Sequence, residues 1–303
     1  MYLGIDSGSV STNLVVIDDK GKIISTEYIR NYGDPIVSVK KGLKNVKGEI
    51  KGVGVTGSAR NLIAKVVGGD IVKNEITCHS VAARFVDPDV RTIIEIGGQD
   101  SKIIFLEDGV PVDFNMNTVC AAGTGSFLDQ QSQRMGIKIE NFGEESLKSK
   151  KDVIVRGRCG IFVESDMINK QQSGFGKEDI IKGLCDALAR NYFNNLAKNK
   201  KIHEPVLFQG GVAANIGMKN ALEKISGKKL TIPKHYDVMG ALGAALLTRN
   251  VKETKFKGID LVKHDFVIST FVCKECSNYC EISVVKENNK IIAHLGSRCG
   301  KWS

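Results

Sequence analysis

One strand pattern occurs twice along the chain and limits the folds that the sequence can adopt. Three short apolar segments separated by turn signals lie within residues 2–29, and a second set of three lies within residues 91–116. Helical and strand patterns alternate after each set. We therefore predict an α/β fold with two similar lobes and a cleft between them. The predicted strands cover residues 2–6, 11–18, 23–29, 50–55, 91–97, 101–107, 110–116 and 206–210. One predicted helix follows Pro35 and another follows Cys159, and the others cover residues 58–67, 125–135, 176–198, 215–226 and 237–249.

Composition agrees with a folded protein and excludes several classes of function. The 303 residues are 42% hydrophobic and 25% charged, which is enough for one large domain or two domains with real cores. No apolar run reaches the roughly 20 residues of a membrane helix, and the N-terminus lacks the features of a signal peptide. We therefore expect a cytoplasmic protein with no membrane partner. The net charge of +9 comes from scattered lysines without interleaved aromatics, so no nucleic-acid partner is expected.

Three glycine-containing loops follow predicted strands. GIDSGSVST (4–12) and IEIGGQDSK (94–102) occupy matching turns in the two strand sets, and FQGGVAAN (208–215) joins a strand to a helix. Glycine lets a backbone approach an anion closely, and a helix N-terminus favours a phosphate. None of the loops matches the P-loop or the dinucleotide fingerprint. Each loop alone is a weak signal, but two matching hairpin loops and a third after a late strand are specific.

These loops resemble the two phosphate motifs and the adenosine motif of the actin, sugar kinase and Hsp70 superfamily. The closer resemblance is to the ATP-dependent activators of 2-hydroxyacyl-CoA dehydratases, in the BadF/BadG/BcrA/BcrD-type ATPase family that includes benzoyl-CoA reductase subunits. It extends over about residues 1–250. The motifs that carry it are NEITCHS (74–80), EIGGQDSK (95–102), FNMNTVCAAGTGSFLDQQ (114–131), GRCGIFVESDMI (157–168), FQGGVAANIG (208–217) and GALGAAL (240–246).

The resemblance implies duplicated actin-like (ribonuclease H-like) ATPase lobes with the nucleotide in the interlobe cleft. It also implies roles for individual residues, which suit phosphoryl transfer by positioning and charge stabilisation. Asp6 would hold hydrated Mg²⁺, and Gln99 and Asp100 would face the γ-phosphate and the attacking water. At one position the chain departs from the pattern, since Asn13 stands where members often carry a lysine. The other residues expected to bind ATP or ADP are Gly8, Ser9, Ser11, Thr12, Gly97, Gly98, Ser101, Gly210, Gly211 and Asn215.

Two of the eight cysteines each precede a predicted helix. Cys120 and Cys159 stand in glycine-rich surroundings, and a thiol at a helix N-terminus is favoured as the metal-binding thiolate. Two ligands are too few for an iron–sulfur cluster, which normally takes four. The resemblance implies one 4Fe–4S cluster bridging a homodimer, with this cysteine pair from each subunit. Cys78 and Cys185 are expected to pack in the interior.

The remaining four cysteines crowd the end of the chain. Cys273, Cys276, Cys280 and Cys299 bracket a predicted hairpin whose strands, 281–286 and 290–295, flank Asn-Asn. The spacing predicts a tetrathiolate site, for Zn²⁺ or for a second iron–sulfur cluster. The segment resembles a cysteine motif that follows the activator region in long multidomain relatives. In those relatives a dehydratase-like region comes after the motif. We therefore expect either that the partner enzyme is a separate polypeptide or that this chain is a fragment of a longer protein.

The leading hypothesis is an ATPase coupled to electron transfer. It would take electrons from a ferredoxin or flavodoxin and reduce an acceptor reductase or dehydratase that carries iron–sulfur clusters. The alternatives are an amino-sugar type kinase of the same superfamily and a zinc-bound regulatory protein that switches with its nucleotide. The predicted domains are lobe I (1–72 and 232–251), lobe II with the cluster cysteines (73–231), and a linker or docking segment followed by the four-cysteine metal-binding segment (252–303).

Overall fold

The computed structural model describes residues 1–117, 123–156 and 159–302. The chain divides into two compact units. Unit 1 consists of Met1–His79 and Gly240–Ser303, and unit 2 consists of Ser80–Met239. The C-terminal segment from residue 252 therefore belongs to the same unit as the N-terminal strands.

The central sheet of unit 1 is built from the first strand set. Its strands are β1 (Tyr2–Ser7), β2 (Ser11–Ile17), β3 (Ile23–Arg30), β4 (Gly52–Thr56) and β5 (Ile71–Val72). They are arranged in the order β3-β2-β1-β4-β5, with β1–β2–β3 antiparallel and β1–β4–β5 parallel. Every residue of β4 is buried, as expected of a strand covered on both faces.

The sheet of unit 2 repeats this topology. Its strands are β6 (Thr92–Ile96), β7 (Ser101–Glu107), β8 (Val110–Asn117), β9 (Val206–Gln209) and β10 (Leu230–Thr231). The order is β10-β9-β6-β7-β8, again with three consecutive antiparallel strands and a parallel continuation from the first of them. The duplicated strand pattern predicted from the sequence is confirmed.

Helices cover the sheets of each unit. They are α1 (Pro35–Leu43), α2 (Arg60–Val67), α3 (Glu75–Val86), α4 (Gly125–Arg134), α5 (Ile139–Leu147), α6 (Gly160–Gln172), α7 (Lys177–Leu196), α8 (Ile216–Ser226) and α9 (Met239–Leu247). Local chemistry fixes some of their starts. Asp34 caps α1 by accepting a hydrogen bond from the Val37 amide at 2.9 Å, and Pro35 occupies the first turn.

Small residues let α9 lie directly on the β-sheet of unit 1. A Cβ added to Gly4 of β1 would collide with the Ala241 carbonyl, and one added to Gly54 of β4 would collide with the Ala244 carbonyl. Gly243 lies equally close to the backbone of Cys78 in α3. The glycines are therefore required by packing distance.

The C-terminal segment forms a third sheet that packs on unit 1. Its strands, β11 (Phe266–Val272), β12 (Glu281–Glu287) and β13 (Lys290–Leu295), pair antiparallel in that order. β11 was not predicted from the sequence. The preceding residues, predicted as a linker or docking segment, dock: Leu261 is fully buried in the core of unit 1, and the Lys257 amide donates to the Val67 carbonyl. Among the described residues, no helix is long and apolar enough to cross a bilayer.

Candidate functional site

The β1–β2 loop places Asp6 at the end of a buried strand. Asp6 pairs with Asn13 across the two strands, and the Gly8 amide donates to the Ser11 carbonyl at 2.9 Å to close the turn. Ser9 is exposed at the tip, where its hydroxyl lies 3.4 Å from that of Ser58. The loop therefore offers a carboxylate and backbone amides at one edge of the sheet, as a phosphate-binding turn requires.

A buried hydrogen-bond network supports this loop from inside unit 1. The Thr12 side chain is fully buried, 3.0 Å from the Ser7 hydroxyl, and donates to Asn31 Oδ1 at 2.7 Å. Asn31 Nδ2 donates in turn to the Gly8 carbonyl at 2.6 Å. The Thr12 hydroxyl is therefore engaged in holding the loop. Asn31 was not singled out from the sequence, because it follows β3 outside any motif.

Two glycines make room for the Asp6 carboxylate. A Cβ at Gly57 would lie 2.7 Å from Asp6 Oδ1, and a Cβ at Gly240 would collide with Asp6 Oδ2. Gly57 also has a φ of +95°, which disfavours any other residue. The carboxylate is therefore held in a slot formed by glycines from the loop after β4 and from α9.

The β6–β7 loop forms the corresponding turn in unit 2. The Gly97 amide donates to the Asp100 carbonyl at 3.0 Å, and Gln99 is exposed at the tip. The start of α4 is tied to the same loop, since the Gly125 amide donates to the Gly97 carbonyl at 2.8 Å. The Ser101 side chain is buried, and its hydroxyl has no hydrogen-bond partner among the described residues.

A buried lysine joins two carboxylates beside this turn. Lys102 Nζ lies 2.9 Å from Asp100 Oδ2 and 3.1 Å from Glu95 Oε2, and the Lys102 side chain is only 2% exposed. Tyr192 of α7 donates its hydroxyl to the Lys102 carbonyl at 2.7 Å. The ion pairs fix the direction of the Asp100 carboxylate. Neither Lys102 nor Glu95 was assigned a role from the sequence. The signal was one charged residue within each of two otherwise apolar strands.

The loop after β9 reaches the Glu95 carboxylate. Gly210 has a φ of +87°, and a Cβ there would lie 2.6 Å from Glu95 Oε1. A Cβ at Gly97 would lie 3.2 Å from the same oxygen. Within unit 2, the Glu95 side chain therefore lies beside both glycine loops.

Asn215 is the N-cap residue of α8 and, among the described residues, uses only the oxygen of its side-chain amide. Its Oδ1 accepts a hydrogen bond from the Met218 amide at 3.0 Å, which caps the helix. Its Nδ2 is buried and has no partner among the described residues. Gly211 lies between Gly210 and this cap and is exposed. A buried donor without a partner is costly, so this position suits a hydrogen-bonding ligand.

Cys159 is the N-cap residue of α6. A helix directly after this cysteine was predicted from the sequence. The thiol is exposed, and Ile161 and Phe162 in the first turn are 74% and 68% exposed. Cys120, the other predicted cluster ligand, lies outside the described residues. The helix predicted after it begins at Gly125 as α4.

An ion pair and a hydrogen bond connect the helices that follow the two cysteines. Glu164 of α6 lies 2.8 Å from Arg134 of α4 and accepts a hydrogen bond from Gln131 of α4 at 3.3 Å. The Gln131 side chain is fully buried, so α4 and α6 are connected through the interior of unit 2.

Cys78 and Cys185 are interior residues, as predicted. Both are buried, and burial raises the pKa of each thiol to about 12. Near neutral pH both thiols are therefore protonated, whereas metal binding requires the thiolate.

The tail cysteines lie close to one another in two pairs. Cys273 and Cys280 are buried side by side, whereas Cys276 and Cys299 are exposed. In the described ranges, 1–117, 123–156 and 159–302, no three His, Cys, Asp or Glu side chains form a group that could hold a metal ion.

Comparison with known proteins agrees with this geometry. The sequence profile of the BadF/BadG/BcrA/BcrD ATPase family matches residues 3–248. The chain belongs to this family. The (R)-2-hydroxyglutaryl-CoA dehydratase activating ATPase of Acidaminococcus fermentans is 35% identical over 250 residues, which cover 80% of this chain and 95% of that protein. The resemblance to dehydratase activators is confirmed.

Crystal structures of family members share the fold. Component A of the Acidaminococcus fermentans dehydratase superposes with a TM-score of 0.76 at 33% identity and covers 82% of this chain and 97% of its own. The activator of the 2-hydroxyisocaproyl-CoA dehydratase from Clostridium difficile, solved with bound ADPNP, gives a TM-score of 0.76 at 31% identity. It covers 82% of this chain and 95% of its own. The actin-like, sugar kinase-type fold predicted for this family is confirmed, and the tail from residue 252 lies beyond the family match.

Proposed function

We propose that this protein is an ATP-hydrolysing iron–sulfur electron-transfer protein that activates a 2-hydroxyacyl-CoA dehydratase-like partner. The observation that carries the proposal is the combination of two matching glycine hairpin loops with an exposed cysteine at the start of α6. The loops suit a nucleotide, and the cysteine suits a redox centre. A family member with bound ADPNP supports the first part.

In this proposal the residues of each glycine loop have their own part in binding and hydrolysing ATP. Amides of the loop at Gly8 and Ser9 would bind phosphate oxygens, and Asp6 would hold hydrated Mg²⁺. Mg²⁺, when bound, supplies positive charge against the phosphates. Asp100, oriented by Lys102, directs the attacking water with Gln99.

Two buried polar atoms support a nucleotide in unit 2. The hydroxyl of Ser101 and the Nδ2 of Asn215 have no hydrogen-bond partner among the described residues. Both lie at loops that match the nucleotide motifs of the superfamily. A nucleotide would remove the cost of burying them unpaired.

The start of α6 is suited to bind a cluster edge. Cys159 stands at the N-terminus of a helix of 13 residues. Ile161 and Phe162 expose apolar side chains beside it, and a second copy of the chain would cover them. Cys120 and Cys159 from two copies would supply the four thiolates of a 4Fe–4S cluster.

Electron transfer follows from ATP-linked changes around this cysteine. The cluster, when bound, supplies a one-electron carrier between a reduced ferredoxin or flavodoxin and an acceptor that carries its own clusters. This chain's part is to bind ATP and ADP with different affinity in two conformations, because only such a difference does work on the cluster. Glu164 passes a movement of α4 to α6, since it pairs with Arg134.

The test is the iron and sulfide content of the anaerobically purified chain. We expect about two irons per chain in a dimer, together with ATPase activity. Cys120→Ala and Cys159→Ala should abolish the cluster iron, whereas Cys185→Ala, at a buried interior position, should keep it. An intact cluster in either of the first two variants would contradict the assignment. A protein without iron that transfers phosphate from ATP to an amino sugar would favour the kinase.

A further inference from the structure

The four tail cysteines lie at one end of the third sheet. β11 ends at Val272, β12 begins opposite it at Glu281, and β13 ends at Leu295, which pairs with Ser283. Antiparallel pairing therefore brings the end of β11, the start of β12 and the end of β13 to the same end of the sheet. Three of the cysteines lie in the β11–β12 connection and the fourth follows β13. They are Cys273, Cys276, Cys280 and Cys299.

The first pair extends the β-ladder by one step. The Cys273 amide donates to the Cys280 carbonyl at 2.8 Å, directly beyond the last strand pair. Both side chains are buried, at 5% and 7% exposure, against Ile282 and the ring of Trp302. Trp302 Nε1 donates to Cys273 Sγ at 3.4 Å. The backbone thus holds two thiols side by side in a fixed geometry.

The second pair lies on the outside of the same turn. The Cys276 thiol hydrogen bonds to the Cys299 sulfur, which also receives hydrogen bonds from the Lys301 backbone and the Ser297 side chain. The Lys301 ammonium interacts electrostatically with both Cys273 and Cys299, one cysteine from each pair. The two pairs therefore share one neighbourhood.

We propose that these four cysteines bind a single Zn²⁺ ion as a tetrathiolate site. Thiolates on one tetrahedral zinc stand about 3.8 Å apart, because Zn–S bonds measure about 2.3 Å. The contact between the Cys276 thiol and the Cys299 sulfur suits two ligands of one ion. On a 4Fe–4S cluster each thiolate binds a separate iron, so the sulfurs are farther apart.

The site closes by movement of the exposed pair. In the described part of the chain the four side chains do not form a closed group, so Zn²⁺ draws Cys276 and Cys299 toward the buried Cys273 and Cys280. Each thiol that binds releases its proton, and no electron is exchanged. The resulting complex carries two negative charges, and Lys301, which also pairs with Glu275 at 2.6 Å, interacts electrostatically with Cys273 and Cys299 and would offset part of them.

The ion would order an end of the sheet that has little core of its own. Val285 and Ala293, in the middle of the sheet, belong to the core of unit 1. At the cysteine end, the separate cluster consists of Cys273, Cys280 and Ile282 with Trp302 against it. So small a core contributes little stability, and a structural metal is the usual supplement.

The test is zinc analysis of the full chain, purified anaerobically and freed of loosely bound metal by a chelator. We expect about one zinc per chain, lost in Cys276→Ser and in Cys299→Ser. Both positions are exposed, so the substitutions leave the packing of the fold unchanged. Ser277→Ala, in the same connection, is the matched control and should keep the zinc. Co²⁺ added to zinc-free Cys159→Ser protein should give the absorption of tetrahedral cobalt thiolate.

Each other outcome overturns the assignment. These outcomes are zinc retained in both serine variants, no zinc after reconstitution with zinc chloride, and a Cys276–Cys299 disulfide in anaerobic protein. Iron and sulfide that disappear with Cys276→Ser would replace zinc by a cluster. Failure of the proposed function is read separately, since Cys120→Ala should lose the dimer cluster iron and keep the zinc.

Discussion

At the scale of single residues, Lys102 shows how unit 2 orients a carboxylate for chemistry. The ammonium is buried between Glu95 and Asp100, and Asp100 alone of the two carboxylates is partly exposed, at 32%. An ion pair in the interior holds its geometry better than one at the surface, where solvent screens the charges. Lys102 thereby fixes Asp100 Oδ2 while the rest of that carboxylate faces outward.

Replacing this lysine should therefore destabilise the protein strongly. Lys102→Met keeps the length of the side chain but leaves Glu95, 5% exposed, without the ammonium. Removing one partner of a buried pair costs about 3 kcal/mol, which urea unfolding measures. Lys51→Met is the matched control, because its pair with Asp19 is exposed and screened by solvent, so the change should alter the free energy of unfolding little. Equal losses in the two variants would show that the buried pair is not special.

At the scale of elements, the sequence predicts strands and helices where periodicity and end signals agree. α1 follows from Asp34 and Pro35, and α8 is predicted at 215–226 and observed at Ile216–Ser226. β11 was missed although its residues are β-branched and aromatic. The eight-residue connection to β12 contains three cysteines in place of a two-residue turn, so the pairing has no local signal.

The site was predictable only where it lies in motifs. The glycine loops and Cys159 lie where the sequence indicates. Asn31 and Gly57 support the first loop by contacts across unit 1 that no local pattern encodes. Such contacts arise from packing between elements distant in sequence, and a single chain carries no separate signal for them.

Asn215 caps α8 with its Oδ1, and its Nδ2 has no hydrogen-bond partner among the described residues. The two roles can be separated. Asn215→Ser keeps a capping oxygen but removes Nδ2, so the stability should change by less than about 0.5 kcal/mol. ATP binding, measured by calorimetry, should weaken by about 1 kcal/mol, roughly fivefold in Kd. Asn215→Ala should add a loss of about 1 kcal/mol in unfolding free energy. Unchanged ATP affinity in the serine variant would remove Asn215 from the nucleotide site.

At the scale of the whole molecule, unit 1 is built from both ends of the chain. Residues 252–302 lie beyond the family match, yet they share its core. Leu261 is fully buried there, and Lys40 of α1 donates to the His264 carbonyl at 2.8 Å. The tail is therefore part of the folded ATPase unit, and its third sheet is not an independent appendage.

This arrangement predicts that a tail leucine stabilises the ATPase unit as a core residue does. Leu261→Ala should lower the free energy of unfolding by about 3 kcal/mol, because the change leaves a cavity in the core of unit 1. Leu147→Ala, at a position 54% exposed on α5, is the matched control and should change it by under about 0.5 kcal/mol. Limited proteolysis of Leu261→Ala should also release fragments from the N-terminal strands as well as from the tail, since both bury apolar surface in one core. Cleavage confined to the tail, with the N-terminal strands as resistant as before, would mean that the third sheet unfolds alone and that the ATPase unit does not depend on it.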